Sequence, residues 1–230
     1  MDATTFTFPT SAFPPLAVGF FGLGTGYLIY GPQELWGRPG RSRAVDVTTG
    51  LWGIWMPGFM QFFAGVYLFA ALVWFHSLDA PPLYMAALAF TAYGVHWWAI
   101  GLGRALGGDP RPNAYMCVAF TLISLLGGVV FSVGSSRDVP VALLFAGLTC
   151  VYVTDFVASY FHAAPTPLRA EATAASPELV SHSERRPIGT PLGVLGERAL
   201  GLSHLVTGTW LLYLTWATAL NFASGFKLWL

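Results

Sequence analysis

Six runs of apolar residues, each long enough to cross a lipid bilayer as a helix, recur along this chain at about 13–31, 51–75, 83–104, 113–134, 139–162 and 199–222. A helix needs about 20 predominantly apolar residues to cross the hydrocarbon core. Inside that core every backbone N–H and C=O must be satisfied within the protein, which leaves helices or a closed barrel. Barrel strands alternate apolar and polar residues over segments of about ten. No such alternation is present, so the sequence predicts an all-α integral membrane protein, a single six-transmembrane-helix bundle over residues 1–230. Charge agrees, because only 10% of residues are Asp, Glu, Lys or Arg, where a soluble domain carries about a quarter.

The eleven basic and eleven acidic residues cancel, so there is no overall field that would attract nucleic acid. Cys117 and Cys150 fall in separate apolar runs without the paired spacing of a metal site or a disulfide framework, and are expected as buried free thiols. No basic segment precedes the first run, so no cleaved leader is expected.

Gly31-Pro32, Ala80-Pro81-Pro82, Gly107 to Pro112 and Ser135 to Asp138 read as the first four connections,. The fifth, at about 163–198, has five prolines and three serines and reads as a polar surface loop, with a docking or regulatory segment as the alternative. Nine arginines, from Arg38 to Arg198, lie in the odd connections, against Arg137 and Lys227 on the other side. By the positive-inside rule the odd connections face the cytoplasm.

Polar side chains inside apolar runs mark function, because at that depth they face a bundle interior or a solute path. Gln61 lies deep in the second run, and its amide needs a partner on another helix or in a wet cavity,. Phe90, Tyr93, Trp97 and Ile100 form a stripe at helical spacing, with Thr91 and His96 beside it,. Asp155 is the one carboxylate within a run, near its end, and its position also suits the membrane interface,. Small residues at packing intervals, Gly19, Gly22 and Gly26, then Gly58 and Gly65, then Gly201 and Gly208, predict close helix approach,. Gly22-Leu23-Gly24-Thr25-Gly26 lacks the strand-to-helix setting of a dinucleotide loop,. His96 and His204 form one deep imidazole pair that a haem could use,, but packing is the simpler role. No catalytic motif is present, so neither an enzyme, a metal site nor a cofactor is expected,.

Two stretches carry a resemblance. Gly58-Phe59-Met60-Gln61-Phe62-Phe63-Ala64-Gly65 is similar to the Gly-x-x-Gln-x-x-Ala-Gly segment of the acetate uptake transporter family, the bacterial succinate-acetate permeases and their fungal relatives. Phe90-Thr91-Ala92-Tyr93-Gly94, followed by Trp97, resembles that family's Phe-x-x-Tyr-Gly-x-Phe-Trp segment, and Gly208, Tyr213 and Asn221 fit its last helix. The resemblance implies a six-helix protomer in a ring-shaped homo-hexamer of the plasma or inner membrane, each protomer with its own path. It also implies a constriction, which carries over to Phe21, Tyr93 and Leu148. It places the termini in the cytoplasm, opposite to the arginine bias. The chain departs from the family in lacking the Asn before the first helix, in Thr218 for an acidic residue, and in His96 for a Phe.

The expected function is membrane transport of acetate or a similar small monocarboxylate, with succinate as a further candidate, as a proton symporter or an anion channel. Its path would offer Gln61, Thr91 and His96 as polar groups ahead of the apolar throat. The alternative is a non-transporting accessory subunit that keeps the fold for assembly.

Overall fold

A computed structural model of the chain describes residues 13–134, 137–162 and 190–230. Its helices are α1 (Phe13–Trp36), α2 (Arg43–Trp74), α3 (Pro82–Leu106), α4 (Asn113–Ser132), α5 (Val139–Tyr160) and α6 (Pro191–Ser224). Among the described residues there is no strand. Four of the helices, α2 to α5, are long and apolar enough to cross a membrane, which gives the chain the character of a multi-pass membrane protein. Residues 163–189 of the expected long loop lie outside the described residues, and residues 191–198 are helix, the first two turns of α6.

Local chemistry sets the helix ends. The Ser42 side chain accepts from the Val45 N–H at the start of α2, Asp138 does so from Val141 before α5, and Thr190 from Gly193 before α6, each satisfying an orphan donor of the first turn. Gly107 closes α3 at φ 77, a left-handed conformation that costs glycine nothing,. Two boundaries differ from those read in the sequence. Gly31-Pro32 does not end α1, which runs on to Trp36 with Pro32 inside it. The second helix begins at Arg43 rather than near 51, because a capped, polar first segment precedes the apolar stretch.

Helix α2 is not uniform. It widens into π-helix at Ile54–Phe59, around Pro57, and again at Ala70–Trp74. Pro57 has no N–H to donate, and a π turn is one way a helix absorbs that defect.

Consecutive helices lie side by side, α1 against α2, α2 against α3, and so on to α6, which packs along α1 and closes the ring. The seams are built on small residues. A Cβ at Gly94 of α3 would stand 2.5 Å from the Phe62 backbone nitrogen of α2, and one at Gly201 of α6 would stand 2.5 Å from the Leu35 nitrogen of α1. These are backbone-to-backbone contacts that only glycine permits. The α3–α4 seam is the slackest of the ring, and cavities open in the interior beside it. Cys117 is buried as expected, but Cys150 is exposed, because it lies on the outward face of α5.

Candidate functional site

Two cavities enter the ring from opposite ends. The first, about 510 Å³, opens between the start of α3 and the start of α5, where Asp79, Arg137 and Asp138 line it. It runs inward past Phe20, Phe90 and Leu144 to Gln61, Tyr93 and Leu148. The second, about 630 Å³, opens at the other end beside Arg41, Arg104 and Asp109 and runs inward to Tyr27, His96, Phe120 and Tyr152.

The partition between them is one helical turn thick. On α1 the lining passes from Leu23 in the first cavity to Tyr27 in the second; on α3 from Tyr93 to His96; on α5 from Leu148 to Val151. Three or four residues of helix amount to roughly 5 Å. Aromatic rings fill that layer. Tyr93 stacks on Tyr152 at 5.4 Å between centroids and meets Phe120 at 5.6 Å, while Phe120 stacks on Tyr152 at 5.1 Å. The Tyr93 hydroxyl is tied to Ser124 Oγ at 2.9 Å, and Ser124 donates to the Phe120 carbonyl. The layer is therefore held by packing and by a bond between α3 and α4.

Inward of the charged residues at its mouth, the first cavity is lined almost wholly by apolar side chains around one anomaly. Gln61 is 1% exposed, and neither its amide nitrogen nor its amide oxygen has a partner in the protein. The π turn Ile54–Phe59 ends just before it, within the same helix.

The second cavity is lined by polar groups most of which are paired, the Tyr30 hydroxyl and His96 Nδ1 being buried without partners. His96, 4% exposed, shares a 2.6 Å hydrogen bond between Nε2 and Asn113 Oδ1. Asn113 Nδ2 donates to Asp155 Oδ2 at 2.9 Å, and Ser159 Oγ donates to Asp155 Oδ1 at 2.8 Å. Across the cavity His204 Nδ1 bonds Glu34 Oε2 at 2.6 Å and its ring stacks on Tyr27. Nearer the mouth Arg104 lies over the Tyr30 ring and pairs with Asp46, which also holds Arg41. On the rim, hydrogen bonds from Arg111 hold Asp109 down to about 2.

The residues singled out in the sequence thus separate. Gln61, Tyr93 and Leu148 meet in the first cavity, and His96 lies one turn away in the second. Phe21 is not with them. It is 41% exposed on the outer face of α1, and Phe20, packed on Phe90 at 5.6 Å, lines the cavity in its place. One position along a helix turns a side chain by about 100°, so a motif register off by one residue reverses the face. Thr91 bonds back to the Ala87 carbonyl and packs against Gly65 of α2 rather than lining either cavity.

Sequence reasoning missed Asn113, Glu34 and Ser124. Asn113 opens the fourth run directly after the Pro110-Arg111-Pro112 turn and Glu34 follows Pro32 in the first connection, so neither reads as a polar group deep in a run, and their partners lie 42 and 170 residues away. Ser124 sits between Ile123 and Leu125 in an apolar run, without a periodicity to set it apart.

Among the described residues no group of three His, Cys, Asp or Glu is placed to hold a metal. No family model matches the chain, and neither a curated protein nor a solved structure is similar enough to report.

Proposed function

We propose that the protein is a transporter of acetate or a similar small monocarboxylic acid. In this reading all of α1 to α6 cross the cell membrane, and copies of the chain assemble as the ring-shaped hexamer that the family resemblance implies. The observation that carries it is the pair of cavities facing each other across a single aromatic layer, with Tyr93 and Leu148 on the partition. An hourglass of this kind gives a solute access from both sides while the rings exclude hydrated ions.

The lining of the first cavity supports the substrate class. An amide buried in hydrocarbon without partners costs several kcal/mol, so Gln61 is built for a guest. It offers one acceptor oxygen and two donor hydrogens. A neutral carboxylic acid has the complementary O–H and C=O, and can close a two-bond ring with a primary amide. The surrounding Phe20, Leu23, Phe90 and Leu148 suit a short alkyl tail. A carboxylate ion would fare worse there, since a full charge at mid-membrane costs about 3 kcal/mol even on lenient insertion scales. Succinate, with two carboxyl groups, fits less well than a monocarboxylate.

The test is labelled-acetate uptake into proteoliposomes, measured against empty vesicles because acetic acid also leaks through lipid. Uptake above that background is expected. Replacing Gln61 with Leu, which removes two hydrogen bonds of about 1 kcal/mol each, should weaken apparent affinity by roughly tenfold or more. An unchanged affinity would remove Gln61 from the path.

A further inference from the structure

We propose that His96, oriented by Asn113 and Asp155, is a proton-accepting site that takes the proton of a small carboxylic acid as it leaves the aromatic layer for the second cavity. The proposal rests on the transport reading and adds the site at which proton and carboxylate part.

Hydrogen-bond logic fixes the chemistry. Both Asp155 oxygens accept, one from Asn113 Nδ2 and the other from Ser159 Oγ, as an ionised carboxylate does. An acceptor-only group on that side obliges Asn113 to turn its NH₂ toward Asp155 and its carbonyl toward His96. The carbonyl in turn requires an N–H from His96 Nε2, across 2.6 Å. A neutral imidazole has one ring proton, so Nδ1 is left as a bare acceptor. Nδ1 is buried without a partner, in a ring that lines the second cavity and stacks on Phe120 at 4.4 Å. A buried acceptor of this kind lacks one donor, and the site is short of an X–H group.

A carboxylic acid supplies that donor and can surrender it. In water a carboxyl group is the stronger acid of the two, releasing its proton near pH 4 against about 6.5 for imidazole, and the Asp155 carboxylate behind Asn113 favours the imidazolium that transfer to Nδ1 forms,. The acid O–H bond breaks, the Nδ1–H bond forms, and Nε2–H stays on Asn113. The products are a carboxylate and an imidazolium, whose charge faces Asp155 through the Asn113 amide. The carboxylate then meets Arg104 and Arg41 toward the mouth, and the imidazolium returns its proton to water of the cavity. One proton and one carboxylate leave for each acid that enters.

Other titratable groups lie in or beside this space. Tyr93 and Arg104 come from α3 itself. Cys117 lies on α4, where Asn113 Nδ2 reaches its sulfur at 3.7 Å, and Tyr152 on α5 has its ring 5.6 Å from that of His96. Tyr27, Tyr30 and Glu34 belong to α1, with Glu34 held by His204 of α6; Glu197 of α6 lies on the same wall. Arg41, Asp109 and His162 belong to the mouth. Among the described residues only Asn113 hydrogen-bonds His96.

Nitrogen NMR of ¹⁵N-histidine-labelled protein in nanodiscs reads the site directly, at fixed buffered pH, with sodium acetate against sodium chloride. His96 is assigned by its loss in His96→Gln or, should that variant not fold, by elimination with His76, His162, His182 and His204 each replaced. The acid-free protein should show His96 protonated at Nε2 and bare at Nδ1, and acetate but not chloride should protonate Nδ1. An Nδ1–H tautomer, or no response to acetate, overturns the site. An unresponsive His96 in protein that still takes up labelled acetate overturns the site alone. A responsive His96 without uptake supports the site and overturns the transport reading instead.

Discussion

The two cavities differ in how they treat polar atoms, and the difference divides the work of the proposed path. In the first, one amide stands unpaired among apolar side chains; in the second, carboxylates, imidazoles and an asparagine are joined in two networks, beside which His96 Nδ1 and the Tyr30 hydroxyl are buried without partners. Stability would have been served by a Leu at position 61. Buried polar groups without partners persist where function needs them. The first cavity accordingly suits a neutral molecule, and the second is equipped to manage charge.

Substitutions on the two sides should move stability in opposite directions. The largest loss is expected for Glu34→Ala, because removing one member of a buried, bonded pair strands the other; such losses run to about 3–5 kcal/mol, read as a lower thermal midpoint in detergent. Asp155→Ala should follow, leaving Asn113 and Ser159 without their acceptor at about 1–3 kcal/mol. Gln61→Leu should reverse the sign and raise the midpoint while transport affinity falls. If Gln61→Leu destabilises the protein, the amide has a structural partner and the contrast between the cavities fails.

Tyr93→Phe keeps the ring and removes the bond to Ser124. Interhelical hydrogen bonds in membranes average about 0.6 kcal/mol, so a small drop in midpoint is expected with selectivity intact. Tyr93→Ala should instead open the layer, and uptake of a bulkier acid such as benzoate should rise relative to acetate. The smallest effect belongs to the rim. Asp109, held low by Arg111, stabilises the fold above the ordinary carboxylate range and loses that contribution as pH falls toward about 2,. The pair is exposed, so Asp109→Asn should leave the midpoint at neutral pH unchanged within error.

The helices were legible because hydrophobic length is a property of contiguous residues. Apolar runs located α3, α4 and α5 closely, while the start of α2 was missed because its first turns are polar, and that of α6 because Pro191, Gly193, Gly196 and the charged Glu197-Arg198 interrupt the apolar run. Gln61, Tyr93 and Leu148, singled out by depth, polarity and motif, line one cavity. Phe21 was misplaced because a motif fixes register only to within a residue, and one residue decides which way a helical side chain faces. The network of the second cavity was illegible for another reason. Asn113 with Asp155 and Glu34 with His204 are ordinary polar residues until tertiary packing joins them, and no sequence period links positions 42 or 170 apart.

Labelled-acetate uptake by the purified protein in proteoliposomes, recorded together with internal pH, tests the central claim most directly. The account predicts uptake well above empty vesicles, with internal acidification that tracks it, and both reduced in Gln61→Leu. Uptake no faster than through lipid alone, from mildly acidic to mildly alkaline pH, would contradict it.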